Sequence, residues 1–269
     1  MEIVSVTKGA GPLVLSMPHG GMEIPEDLKP QFNALGLLVS DTDWWIPQLY
    51  NFGSEFDATV VQANISRYVV DLNRDPSGAS LYPGQATTGL CPTETFDGDG
   101  IYKPGMEPDQ SEIKQRRAPY FDPYHQALKA ALLEAKETHG YALLYDCHSI
   151  RSKVPRLFGG KLPVINIGTN EGASCSPALE EAVVRTCVEQ DDFTFVANGR
   201  FKGGWITRTY GRPADHVHAV QVELAQSAYM LEKPPWTFDE ERAVDLRGQL
   251  RFMIRAMTRW AATNQATSA

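Results

Sequence analysis

Three segments of the chain place a histidine or a carboxylate at the end of an apolar run. They are His19 after Leu13–Met17, His148 after Tyr141–Asp146, and Glu223 at the end of AVQVE. Polar residues just past the carboxyl ends of strands build the sites of open α/β sheets. Two histidines and a carboxylate at one sheet edge are the ingredients of a catalytic zinc site, which takes three protein ligands and leaves a fourth position for water.

The spacing of the two histidines is not a local zinc motif, because they lie far apart and the chain contains no HExxH sequence. A single histidine is more often a hydrogen-bonded structural residue, so their shared position after apolar runs carries the prediction. The remaining histidines lie on or near predicted helices and polar loops, where a structural role is expected: His125, His139, His216 and His218.

The segment RYVVDLNR carries an arginine at each end, Arg67 and Arg74, with Asn73 beside the second. Arginine is suited to bidentate capture of carboxylates, although a pair of surface salt bridges would explain the same pattern. Arg208 is a further candidate for contact with an anionic ligand. It follows the glycine pair of GGWITR, which indicates either backbone close to a ligand or a plain tight turn.

Strands alternating with helices predict the frame that positions these residues. The predicted strands are Leu13–Met17, one bent or two strands in Ala58–Leu72, Tyr141–Asp146, Leu162–Ile167, Phe193–Ala197 and Ala219–Leu224. The predicted helices are Asp43–Phe52, Tyr124–Thr138, Ser176–Gln190 and Phe238–Ala261. This order indicates a three-layer α/β/α fold with a mixed, largely parallel sheet, as a single domain over residues 1–269. The glycine- and proline-rich stretch 73–110 predicts a long functional loop.

Composition limits the partners and the compartment. The chain of 269 residues has a formal charge of −8, which disfavours nucleic acid as a partner but allows an anionic small substrate near local arginines. No run approaches the ~18 apolar residues of a membrane span, and the N-terminus lacks the pattern of a signal peptide. The four cysteines form no CxxC pair, which favours reduced thiols in the cytoplasm.

From about Leu13 to about Tyr229 the chain resembles the N-formylglutamate amidohydrolase (deformylase) family. The resemblance rests on the number and order of short blocks: SMPHGGMEIP, DTDWW, SRYVVDLNRDP, TGLCPTETFDG, YDCHSI, FKGGWITRTYG and VHAVQVELAQSAYM. It implies zinc-dependent hydrolysis of N-formyl-L-glutamate, a small dicarboxylate, to formate and L-glutamate. This reaction is the last step of a histidine degradation route. The resemblance implies no particular oligomeric state.

The family is itself similar to zinc carboxypeptidases and aspartoacylase-type deacylases, which implies their phosphorylase/hydrolase-like fold and one zinc ion per chain. By this resemblance His19 and His148 are ligands and Glu223 transfers protons. Arg67 stabilises the oxyanion, and an Asn-Arg pair, Asn73 with Arg74, holds a substrate carboxylate. Arg208 or Lys202 would then meet the second carboxylate.

The second ligand of the relatives, in a His-x-x-Glu motif, has no counterpart here. Position 22 is methionine, and Glu23 is one residue out of register. We predict Asp43 instead, because it opens the predicted helix at the place where the relatives have a helix after their glutamate. Asp41 is the alternative ligand, with Asp43 as a helix cap. Asp146 would orient a ligand imidazole from outside the metal shell or cap the strand.

Three other functions fit parts of the pattern. A zinc hydrolase acting on another N-acyl or N-formyl amino acid would have the same ligands and a roomier acyl pocket. A non-catalytic protein binding acidic ligands would not need His19, His148 and Glu223 together. A nucleophilic Cys147 beside His148 is disfavoured, because adjacent residues on a strand point to opposite faces.

Overall fold

A mixed sheet forms the centre of the molecule. The computed structural model describes residues 1–79 and 88–264. Within them the strands are β1 Val4–Thr7, β2 Leu13–Met17, β3 Thr59–Ala63, β4 Ala142–Ile150, β5 Ile165–Gly168, β6 Phe195–Ala197 and β7 Val217–Ala225. They lie in the order β1-β3-β2-β4-β7-β5-β6. The central strands β3, β2, β4 and β7 are mutually parallel, whereas β1 runs antiparallel to β3 and β5 antiparallel to β7.

Helices cover both faces of this sheet. They are α1 Ile46–Leu49, α2 Gln110–Arg116, α3 Asp122–His139, α4 Pro177–Gln190, α5 Trp205–Tyr210 and α6 Glu240–Asn264. A π-helical turn, Arg117–Phe121, joins α2 to α3, and five short 3-10 turns lie elsewhere in the described chain. None of the helices in the part of the chain described here has the length and apolar character that crossing a membrane requires.

Alternation along the strands produces two separate cores. Leu13, Leu15 and Met17 of β2 pack in the cluster that also contains buried residues of α4 and α6. Val14, between them, packs on the other face with buried residues of α3. Successive side chains of a strand point to opposite faces, and the parallel strands β2, β4 and β7 are buried on both faces. The two cores and the sheet between them confirm the predicted three-layer α/β fold with a mixed sheet.

Helix α3 shows how closely a periodic segment follows its pattern. The apolar spacing predicts a helix over Tyr124–Thr138, and the observed helix runs from Asp122 to His139. Leu128, Leu132 and Ala135 form a buried stripe against the sheet, as their spacing indicates. The helix ends at Gly140, which takes a left-handed conformation with φ 80° and donates its N–H to the Lys136 carbonyl.

The segments around the polar residues depart from prediction. The helix predicted at Asp43–Phe52 is only the single turn α1 followed by a 3-10 segment, because Trp45 has a left-handed φ of 63°. The region Ala58–Leu72 holds one strand, β3, and then continues as buried irregular chain. Strand β4 is longer than predicted and reaches Ile150. The short elements β1, α2 and α5 were not predicted.

Candidate active site

Strands β4 and β7 bring one predicted ligand beside the predicted base. They pair in parallel register, so that His148 lies next to Glu223 and Asp146 next to Gln221. The expectation that His148 follows its strand is wrong, because the β4–β7 ladder continues to Ile150 and Ala225. Asp146 and His148 are two residues apart and therefore share a face. Cys147 points to the opposite core, as expected.

The loop after β2 carries the other histidine. Gly21 packs so closely against the backbone of residues 64 and 65 that a Cβ atom there would lie 2.4 Å from the Asn64 carbonyl carbon. A side chain at this position would therefore push the loop away from the sheet. The His19 carbonyl accepts a hydrogen bond of 3.0 Å from the Asp43 N–H. This bond ties the segment that carries Asp43 to the loop that carries His19.

His19, Asp43 and His148 form one buried group whose donor atoms all lie within 4.8 Å of one another. Asp43 Oδ2 lies 3.1 Å from His148 Nδ1 and 3.8 Å from His19 Nδ1. Among the described residues, His19 Nδ1 and Asp43 Oδ1 have no hydrogen-bond partner although both are buried. Buried polar atoms are nearly always paired, so these two atoms mark a position for a ligand.

The opposite ring nitrogens contact carboxylates. His19 Nε2 lies 2.8 Å from Asp71 Oδ1, and His148 Nε2 lies 3.1 Å from Asp146 Oδ2. Asp71 also accepts a hydrogen bond of 2.6 Å from Arg67. A carboxylate on the outer nitrogen fixes the tautomer and the ring orientation of a metal-ligating histidine. Both imidazoles are thus oriented with Nδ1 toward the shared group.

Charge is concentrated in this buried region. Burial lowers the pKa of His148, but the Asp146 carboxylate and Asp43 outweigh that effect and raise the pKa well above its usual value. For His19, burial and the nearby Arg67 charge lower the pKa despite Asp71. Burial acts to raise the pKa of Asp71, yet the Arg67 guanidinium holds that pKa well below its usual range. Three carboxylates, those of Asp43, Asp71 and Asp146, thus lie against the two imidazoles and favour positive charge at this group.

Glu223 is buried beside this group. Burial raises the pKa of its carboxyl to about 8, against the opposing effect of the His148 charge. Its Oε2 accepts a long hydrogen bond of 3.4 Å from Gln221 Nε2. A carboxylate whose pKa lies near neutrality is suited to accept and return a proton during a reaction.

A cavity of about 630 Å³ of space between atoms, including its open mouth, leads to these residues. His19, His148 and Glu223 line it together with three arginines, Arg67, Arg74 and Arg200. The predicted residues Arg67 and Arg74 therefore meet the two histidines in one space.

The predicted substrate-binding residues differ in whether they line the cavity and in which groups hold their side chains. Asn73 lines the cavity, but its Oδ1 accepts the Ile206 N–H at 2.8 Å and its Nδ2 lies 3.1 Å from His148 Nε2. Arg74 is oriented by two hydrogen bonds of 3.0 Å to Thr88. Arg208 is absent from the described lining of the cavity, and its Nε donates to the Gly203 carbonyl.

The alternative ligands lie outside the group. Asp41 Oδ2 accepts hydrogen bonds of 2.8 Å from the Tyr68 hydroxyl and from the Phe96 N–H. Glu23 is exposed on the strand-like bridge to Ile65. Asp43 is thus the carboxylate that the fold places between the two histidines.

Two cavity residues and one supporting residue escaped the sequence analysis. Asp71, fully buried between His19 and Arg67, stands inside the RYVVDLNR block, where a carboxylate within an apolar run was the available signal. Phe96 lies under the Arg67 guanidinium at 4.8 Å and comes from the long loop. Arg200 follows the short strand β6 without any pattern that marks it.

The fold and this site define an α/β protein with a buried group of two histidines and one aspartate, able to hold a metal ion, in a small-molecule cavity. The family profile described as N-formylglutamate amidohydrolase matches residues 11–230. The chain belongs to this family. The N-formylglutamate deformylase of Pseudomonas putida is 45 % identical over 261 residues, covering 97 % of each chain. That of Pseudomonas aeruginosa is 44 % identical over 259 residues, covering 96 % of this chain and 97 % of the relative.

A solved structure supports the fold assignment. The N-formylglutamate amidohydrolase from Ralstonia eutropha JMP134 superposes with a TM-score of 0.78 at 23 % identity, covering 98 % of both chains. At this level of identity the likeness concerns the fold, and it agrees with the mixed α/β sheet described above.

Proposed function

We propose that this protein hydrolyses N-formyl-L-glutamate to formate and L-glutamate with one zinc ion per chain. The observation that carries the proposal is the buried group of His19, Asp43 and His148 at a cavity that also contains Glu223. The 45 % identity to a protein named N-formylglutamate deformylase supports the substrate. The reaction would be the last step of histidine degradation. The four free, buried cysteines are compatible with a cytoplasmic enzyme.

The donor set fits zinc. Two imidazole nitrogens and one carboxylate oxygen are the ligands of a common class of catalytic zinc site. His19 Nδ1 and Asp43 Oδ1, which have no hydrogen-bond partner among the described residues, are atoms that such an ion would satisfy. When bound, zinc supplies Lewis-acid chemistry and lowers the pKa of water toward ~7.

The residues around the group have separable roles in this proposal. Glu223 accepts the proton of the attacking water and returns it to the departing amine of glutamate. Arg67 stabilises negative charge that develops on the formyl oxygen. Asn73 accepts a hydrogen bond from the Ile206 N–H and thereby holds the start of α5 at the cavity. Arg74, beside Asn73, holds a substrate carboxylate. Arg208, as a contact of the second substrate carboxylate, is a prediction from the sequence alone.

A panel of N-formyl and N-acetyl amino acids, assayed with and without a chelator, tests the proposal. N-formyl-L-glutamate should have the highest kcat/KM, and dialysis against chelator should remove activity that added zinc restores. Equal or better turnover of N-acetyl substrates would favour a different deacylase on the same scaffold. Absence of stoichiometric transition metal together with full activity in chelator would contradict the zinc site.

A further inference from the structure

The cavity has more cations than the proposed chemistry has used. N-formylglutamate carries two carboxylates, and Arg67, Arg74 and Arg200 line the cavity. Arg67 is already paired with protein carboxylates, because its terminal nitrogens lie 2.6 Å from Asp71 Oδ2 and 3.6 Å from Asp43 Oδ1. The proposed function assigns Arg67 to the oxyanion, so Arg74 and Arg200 are the lining arginines left to meet the two substrate carboxylates.

Arg74 lies on the side of the metal-binding group. Its terminal nitrogen is 3.7 Å from Asp71 Oδ2, and Asp71 in turn contacts His19. The α-carboxylate of the substrate is attached to the same carbon as the scissile amide nitrogen. It must therefore lie close to the reacting group, where Arg74 is placed.

Arg200 lies at a different wall of the cavity. Its Nε donates a hydrogen bond of 2.9 Å to the Leu157 carbonyl, and its guanidinium carbon lies 5.4 Å from the centre of the Phe201 ring. Leu157, Phe201 and Ile150 line the cavity beside it. An apolar wall that ends at an oriented guanidinium matches two methylene groups that end in a carboxylate. The low dielectric constant of such a wall strengthens the charge interaction.

We propose that Arg200 binds the γ-carboxylate of the substrate and thereby selects acidic over neutral side chains. This inference rests on the proposed function, because it assigns a subsite within that reaction. It moves the second carboxylate contact from Arg208 or Lys202 to a residue of the cavity wall. Lys202 is instead paired with Glu171 at 2.6 Å.

The test compares N-formyl-L-glutamate with N-formyl-L-glutamine, in which the γ-carboxylate is an amide. Arg200→Gln should lower kcat/KM for the glutamate substrate by about 10–150-fold, the range for a hydrogen bond to a charged group. The same variant should change kcat/KM for the glutamine substrate by less than about 3-fold, since both changes delete one contact. Zinc content should remain that of the wild type.

Arg185→Gln is the matched control, because Arg185 pairs with Glu181 on the exposed face of α4. It should behave like wild type on both substrates. Arg200→Lys keeps the charge without the planar fork, so it should retain part of the preference for glutamate and serves if Arg200→Gln does not fold.

Equal losses on the two substrates in Arg200→Gln would overturn the inference. It would also be overturned if Arg208→Gln abolished the discrimination while Arg200→Gln kept it. A wild-type protein that hydrolyses neither substrate would instead contradict the proposed function, so the two failures are distinguishable.

Discussion

His148 and His125 are both buried, with 2 % and 8 % of their surface exposed, but they are surrounded by groups of different charge. His148 lies between the carboxylates of Asp43 and Asp146. His125 Nε2 donates to the Leu72 carbonyl at 2.9 Å, and its Nδ1 accepts from the Tyr210 hydroxyl at 3.1 Å. Both nitrogens of His125 are therefore satisfied by neutral partners.

The two environments shift the imidazole in opposite directions. Burial lowers the pKa of His125 to about 4, whereas the carboxylates raise the pKa of His148 well above its usual value. His125 also packs against aromatic rings, with Phe121 at 4.1 Å and Trp205 at 4.8 Å between ring centroids. The two histidines are thus similarly buried, but the surroundings of His148 favour positive charge and those of His125 favour a neutral ring. The partner charges make the distinction.

Removing a site histidine should have the largest effect. His19→Ala and His148→Ala should each lose bound zinc and reduce turnover to background, because each removes one of the three proposed ligands. His125→Gln, which keeps a donor and an acceptor, should retain zinc and turnover. Elemental analysis after gel filtration and a formate-release assay measure both properties. Stoichiometric zinc in either alanine variant would contradict the ligand assignment.

Asp43 and Glu23 give a carboxylate version of the same comparison. Asp43→Ala should empty the site, whereas Glu23→Ala should keep zinc, because Glu23 is exposed and lies outside the donor group. Loss of metal in Glu23→Ala with metal retained in Asp43→Ala would assign the ligand to Glu23 instead.

Glu223→Gln should have the next largest effect and should act on turnover alone. The amide keeps the shape of the side chain but cannot accept the proton, so kcat should fall by about 10²–10⁴-fold. Zinc content should stay at the wild-type level, since Glu223 is not part of the donor group. A variant that loses zinc in proportion to its activity would show that Glu223 supports the metal and not the proton transfer.

Asp71→Asn should weaken the site without emptying it. The carboxylate at 2.8 Å from His19 Nε2 orients that ring, and loss of such a partner costs about 10–100-fold in metal affinity or activity. Competition with a chelator of known affinity gives the zinc dissociation constant. Asp97→Asn is the matched control, because Asp97 pairs with Arg151 near the surface. An unchanged constant in Asp71→Asn would mean that the loop backbone alone orients His19.

Sequence patterns predicted the parts of the molecule where one physical signal dominates. The stripe of α3 and the apolar runs of β2 and β7 give their elements to within a few residues. The sequence-based prediction ended β4 at Asp146, whereas the strand continues to Ile150. The prediction ended too early because Asp146 and His148 are polar, and polar residues normally mark the end of a buried strand. Here the β7 backbone completes the ladder, and the Asp43 carboxylate lies 3.1 Å from His148 Nδ1; both contacts come from distant segments.

The site was predictable only where residue type and position combined. His19 and His148 followed apolar runs, and the family resemblance added Asp43, which the fold then places between them. Asp71 pairs with Arg67 four residues earlier in the same segment, but its contact with His19 comes from a distant loop. Arg200 follows a three-residue strand and carries no local signal, because its surroundings are made by tertiary packing.

His125 supplies the smallest expected effect on turnover and a separate effect on stability. In the folded protein its pKa is lowered to about 4 from a model-peptide value of 6.5. The unfolded chain therefore binds more protons than the folded chain between these pH values, and stability is lost as the pH falls through this window. At pH 5 the loss from this group is about 2 kcal/mol relative to neutral pH. His125→Gln cannot titrate, so its free energy of unfolding should fall less steeply between pH 7 and pH 5 than that of the wild type. Urea denaturation across this range measures the difference. Parallel pH profiles would show that folding does not lower the pKa of His125, and the opposite directions of the shifts at His125 and His148 would then be contradicted.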